Sequence, residues 1–192
     1  GATIPDPANF GTEYNGDYSF DGAGTITFKN MTLQSGNANY LGFIRADKTV
    51  VDNCTVNGKT FYWGYSSAEF KNTTFNCPAG DYALWTYSSP IMTFDGCTFN
   101  SSGKTVNVYT DYGAGKHDIT VNFKNCTVNN SGSENKSVLN INDFNMGNFE
   151  YKINISGKNT INNTSAGNDI FRDPVTCSRW FGFGGKAKTN NT

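Results

Sequence analysis

A phrase of eight residues recurs five times along this 192-residue chain and restricts its fold more than any other feature. It appears first as Ile26-Thr27-Phe28-Lys29-Asn30-Met31-Thr32-Leu33. It returns from Thr49 to Val56, Ala68 to Phe75, Met92 to Phe99 and Val121 to Val128. Each copy reads as a strand, a tight corner and a second strand. The corners Asn30, Asn53, Asn72, Gly96 and Asn125 lie 23, 19, 24 and 29 residues apart. Pieces of constant shape joined by connections of free length are the pattern of a coil of parallel strands.

Strand alternation gives each position of the phrase a direction. Ile26 with Phe28, Met92 with Phe94 and Val121 with Phe123 are expected to face inward. Past the corner, so are Met31 with Leu33, Cys97 with Phe99 and Cys126 with Val128. Asn and Gly tolerate the left-handed backbone that a sharp corner between sheets requires, and stacked Asn side chains can bond to those above and below. Five hairpin arms of a sandwich would also place Asn and Gly at turns. They would not keep the same inward residue classes at the same offset.

The formal net charge is −1 and no basic stripe exists, which excludes nucleic acid as an expected partner. No apolar run approaches the length of a transmembrane helix, so no membrane insertion is expected. Gly1-Ala2-Thr3 reads as the start of a mature or excised segment, consistent with a secreted or cell-surface-anchored parent protein. The cysteines show no metal-ligand spacing, and the single histidine, His117, has no ligand cluster beside it, so neither metal nor cofactor is expected. Cys54, Cys97 and Cys126 occupy one inward place in three copies and are expected to stack as small apolar side chains. A Cys97–Cys126 disulfide is sterically conceivable, although ladder positions rarely offer its dihedral. Cys77 and Cys177 fall outside the phrase.

The segment to about Asp21, with Phe10, Tyr14, Tyr18 and Phe20, is expected to form a partial rung capping the open end of the coil. Ile153 to Asn162 resembles a sixth copy with one extra corner residue. A last rung is expected around Asp169-Ile170-Phe171. Trp180 to Gly185 is expected to fold over the end, and 186–192 to be a frayed linker.

On the Asn or Gly corner and the inward apolar ladders, residues 18–175 resemble the right-handed parallel β-helix superfamily, the pectate-lyase-like fold. The resemblance implies an all-β solenoid of about six to seven rungs with N- and C-terminal caps, forming one domain over 1–185. Repeats such as Phe123-Lys124-Asn125-Cys126-Thr127-Val128-Asn129 are also similar to those of large surface proteins of gut Firmicutes. The fold hosts enzymes, adhesins and spikes alike, so it does not decide function. Asn-x-Ser/Thr matches at Asn30, Asn53, Asn72 and Asn125 are by-products of the corner and the strand after it.

Function is sought in the third strand of each rung. These strands read Tyr40 to Ala46, Thr60 to Ser66, Tyr82 to Ser88, Val106 to Tyr112 and Val138 to Asp143. Setting Leu139 inward and carrying that phase back predicts an exposed aromatic ladder of Phe43, Trp63, Trp85 and Tyr109. A second column, Arg45, Tyr65, Tyr87 and Asp111, is expected beside it. In the opposite phase Trp63 and Trp85 would fill the core instead. Against that, the Phe28, Phe70, Phe94 and Phe123 column already fills it.

Catalysis in this fold would need clustered carboxylates, with a calcium and a base in lyases. Asp52 and Asp95 stand two rungs apart with Lys71 between them, and the remaining acids are scattered. The expectation is therefore a non-catalytic bacterial surface domain whose aromatic ladder binds a host protein, a mucosal glycoprotein or immunoglobulin. The alternatives are a carbohydrate-binding or polysaccharide-processing module, and a structural stalk.

Overall fold

At the corners the backbone takes the conformation that the sequence demands. Asn30, Asn53, Asn72 and Asn125 hold φ at 56°, 53°, 46° and 53°, and Gly96 holds 66°. Asn53 Nδ2 donates to Asn30 Oδ1 at 2.8 Å, so the first two corners are bonded through their side chains. Gly96 follows from its neighbour: a Cβ there would lie 2.7 Å from Asn72 Oδ1. The asparagine below thus occupies the space that a side chain above would need.

A computed structural model describes residues 2–4, 18–34, 42–58, 60–77, 84–87, 89–101, 105–109, 117–130, 138–142, 150–163, 181–184 and 188–191. The described strands form two sheets whose pairings are all parallel. The second halves of the phrases stack as Met31–Gln34, Thr55–Asn57, Thr74–Cys77, Thr98–Ser101, Thr127–Asn130 and Thr160–Asn163, with Ala2–Ile4 beside the first, making a seven-stranded sheet. First halves and third strands share the other, twelve-stranded sheet. There Gly42–Asp52 and Thr60–Lys71 each run unbroken from a third strand into the next phrase. Consecutive segments alternate between the sheets, which is a parallel β-solenoid of about six rungs, as expected from the repeats.

Its interior is the pair of columns that alternation predicts. Phe70 stacks on Phe94 with ring centroids 4.9 Å apart, and Phe75 stacks on Phe99 at 5.1 Å. Burying one such ring contributes about 1.5–3 kcal/mol, so these phenylalanines are a main source of cohesion between rungs.

Behind each corner the described cysteines are buried thiols, and Cys97 and Cys126 are not bridged. Their role is more polar than an apolar stack. Cys54 Sγ lies 3.4 Å from Asp52 O, Thr73 Oγ1 2.8 Å from Lys71 O, and Cys126 Sγ 3.3 Å from Lys124 O. Each side chain donates to the carbonyl two residues back, which also accepts from the corner N–H of the preceding rung. Cys and Thr both supply a short donor there, whereas the first copy has the apolar Met31 at the same place.

The sixth copy is present. Ile153 and Ile155 pair with Val121 and Phe123, while Thr160 pairs with Thr127, leaving one more corner residue than in the fifth copy. Asn159 Oδ1 accepts from Cys126 N at 2.8 Å, so the insertion stays tied to the rung below. Toward the C-terminus the expectations of a fold-over and a frayed linker are both replaced by strands. Phe181–Gly184 pairs with Leu139–Asn142, and Lys188–Asn191 pairs with the strand from Glu150. At the other end Tyr18–Asp21 pairs with Gly42–Arg45, giving the start of a first rung. The caps expected from Phe10 and Tyr14, and the last rung near Asp169-Ile170-Phe171, lie outside the described residues.

Candidate functional site

The third strands keep the expected phase. Tyr62, Leu84, Thr86, Val106 and Val108 are all sealed in the interior, and Leu139 is nearly so. Alternation therefore turns Trp63, next to the buried Tyr62, toward the outer side of the sheet.

The columns differ from the expected ones by a register step of two residues. Phe43 pairs with Phe61, and Phe61 with Trp85, whereas Trp63 pairs with Arg45. Trp85 continues to Asn107 and Asn140, and Tyr87 pairs with Tyr109 and then Asn142. Trp63 and Trp85 therefore stand in different columns, and no single ladder of Phe43, Trp63, Trp85 and Tyr109 exists. Likeness of side chains is a poor guide here. Register is set by which residues fill the core, and Tyr62 takes the inward place between Ile44 and Thr86. Nor is the outer side uniformly open, because Asn107 is 0% exposed. Asp111 and the side chains of Phe43, Trp85, Tyr87 and Tyr109 lie outside the described residues.

What the structure does assemble is an aromatic bend where the third strand of one rung meets the next phrase. Ala46 pairs with Gly64 and Lys48 with Ser67, so Asp47 stands opposite two residues, Tyr65 and Ser66. This β-bulge bends its strand and re-aims the side chain it carries. Gly64 is required there, since a Cβ would fall 1.7 Å from Ser67 O. Neighbouring segments fasten the bend. Gly64 N donates to Ser89 Oγ at 3.2 Å, Thr49 Oγ1 to Trp63 O at 2.9 Å, and Ser66 Oγ to Asp47 O at 2.7 Å. Asp47 in turn accepts from Gly24 N at 2.8 Å.

Two rings flank Gly64. Tyr65 is 50% exposed, and its ring lies 4.6 Å from that of Trp63 at 43°. Trp63 is half-buried with Nε1 shielded from solvent, so it supports Tyr65 from beneath rather than standing free. Arg45, also half-buried, is the residue in register with Trp63. An exposed phenol on an indole with a guanidinium on the adjacent strand is the group the site offers. Strand alternation alone misses the bulge, yet Gly64 inside a strand is its signal.

The carboxylates are arranged differently from those of an acid–base pair. Lys29, Asp52, Lys71, Asp95 and Lys124 are consecutive partners across the twelve-stranded sheet, alternating in sign. Lys29 Nζ is 3.1 Å from Asp52 and Lys124 Nζ is 3.4 Å from Asp95. Lys71 Nζ bonds Glu69 at 2.8 Å, and that hydrogen bond raises the lysine above its usual range. Hydrogen bonding with Cys126, together with burial, pushes the Cys97 thiol well up, and burial raises the Cys54 thiol. Among the described residues no three His, Cys, Asp or Glu side chains gather as a metal site.

Comparisons with protein-family models, characterised proteins and solved structures find no match. The class of the protein is the one that its sheets define, a parallel β-solenoid.

Proposed function

We propose that this solenoid is a non-catalytic binding domain of a secreted or surface-anchored bacterial protein, and that the aromatic bend docks a host protein such as a mucosal glycoprotein or immunoglobulin. The observation that carries this reading is the half-exposed Tyr65 seated on Trp63 at a bend held by several hydrogen bonds, with Arg45 alongside. Tyr, Trp and Arg are the residue types that dominate protein-interface hot spots, and a rigid anchor loses little entropy on binding. The tight ring packing favours a protein over a sugar, because rings 4.6 Å apart present edges instead of separate stacking platforms. Interleaving of each ladder carboxylate with lysine supports the non-catalytic part.

Purified immunoglobulin and mucin, immobilised side by side with a glycan array, test the reading. Wild type is expected to bind one of the proteins. Tyr65→Ser with Arg45→Ala is expected to weaken that binding by about 2 kcal/mol, roughly thirtyfold in Kd, with an unchanged melting curve. Binding confined to the glycan array, or equal binding by the double variant, would overturn the proposal.

A further inference from the structure

The outer face of the seven-stranded sheet carries a pattern that the aromatic bend does not use. Past the corners the strands read Thr55-Val56-Asn57, Thr74-Phe75-Asn76, Thr98-Phe99-Asn100, Thr127-Val128-Asn129 and Thr160-Ile161-Asn162. Val56, Phe75, Phe99 and Val128 are core residues, so alternation turns the flanking Thr and Asn outward. Pairing then aligns Thr32, Thr55, Thr74, Thr98, Thr127 and Thr160 in one rank. The five asparagines form a second, parallel rank. Repeats are about 4.8 Å from rung to rung and about 6.6 Å from Thr to Asn along a strand.

The second rank is locked. Asn76, Asn100, Asn129 and Asn162 each donate Nδ2 to the Oδ1 of the asparagine below, at 2.8, 2.7, 2.8 and 2.9 Å. Side-chain ladders of this kind hold a many-stranded sheet flat. Each interior amide still has a second N–H and an acceptor lone pair, and each threonine adds a hydroxyl beside a methyl group. Among the described residues neither rank contains a charged or aromatic side chain, and the charge ladder belongs to the other sheet.

We propose that this face binds ice. One threonine or asparagine holds water no better than bulk water does. A rigid, evenly spaced set of hydroxyls and amides can order a layer of waters together, at little entropic cost to the protein. The partner that fits is an extended, uncharged lattice of hydrogen-bonding oxygens, and crystalline water has that chemistry. A protein partner would call for aromatic and Arg anchors, and a glycan for stacking rings. Neither occurs in these ranks.

Thermal hysteresis of a seed crystal tests the proposal, independently of any host-protein binding. Wild type is expected to hold the crystal at constant size and facet it over a measurable gap below the melting point. Thr98→Tyr, in the middle of the rank, is expected to lose most of that gap. Thr120→Tyr, on the outer side of the other sheet, is expected to keep it. Tyrosine suits strands, and circular dichroism melts show whether each variant is folded; Thr74→Tyr repeats the test one rung away if Thr98→Tyr folds poorly. Free crystal growth with wild type would overturn the proposal. So would equal loss in the Thr98→Tyr and Thr120→Tyr variants, or wild-type retention on cellulose without any effect on ice.

Discussion

Cys54, Thr73, Cys97 and Cys126 show how one position can look apolar in sequence and act as a polar one in the fold. Their neighbours in the rung are the phenylalanine columns, yet the shared feature of the four is a short donor aimed at a corner carbonyl. This leads to a sharp comparison at Cys126. Cys126→Thr keeps a donor for Lys124 O and is expected to be tolerated. Cys126→Val fills similar space without one; Lys124 O still accepts from Gly96 N, so the loss is that of a single thiol hydrogen bond, about 0.5–1.5 kcal/mol. Urea unfolding of the two variants measures the difference; equal midpoints would show that only packing matters at this place. The corners obey a similar local rule. Asn stands where φ is positive, with its amide bonded at Asn30, Asn53 and Asn125, and Gly96 where the amide of Asn72 already fills the space.

Among the elements, the strand Thr60–Lys71 joins two jobs that shorter strands divide in later rungs. Its inner side supplies Tyr62 and Phe70 to the core, whose rings meet edge to face at 5.0 Å. Midway, the bulge opposite Asp47 changes its direction and lifts Tyr65 into solvent. Gly64 is the residue on which that geometry depends. Gly64→Ala forces a methyl group against Ser67 O, and a clash of this sort costs about 1–3 kcal/mol or more. A lowered thermal midpoint, together with altered near-ultraviolet circular dichroism from Trp63 and Tyr65, is the expected result. An unperturbed spectrum would mean that the bend is looser than the backbone contacts indicate.

For the whole molecule, the two sheets divide the surface into faces of different chemistry. One carries the aromatic bend and an alternating ladder of lysine and aspartate; the other carries the uncharged Thr and Asn ranks. Asp52 and Asp95 sit two strands apart, about 9.6 Å by strand spacing, with Lys71 between them. Each is paired with a lysine, so neither is poised to trade protons with the other. Prolonged incubation with pectin and dextran is accordingly expected to release no product, measured by reducing ends and by absorbance of unsaturated sugars. Any product that disappears in Asp52→Asn or Asp95→Asn would reverse the non-catalytic reading. The rung itself was legible in the residues: inward phenylalanines, left-handed corners and a sixth copy with its extra residue all follow from alternation and backbone sterics, which act within a few residues. Which third-strand residues lie side by side was not legible, because that register depends on core filling by Tyr62 and on a bulge between distant segments. The aromatic residues thus revealed that a surface site was worth seeking, while only the packing of rung on rung brought Arg45, Trp63 and Tyr65 together.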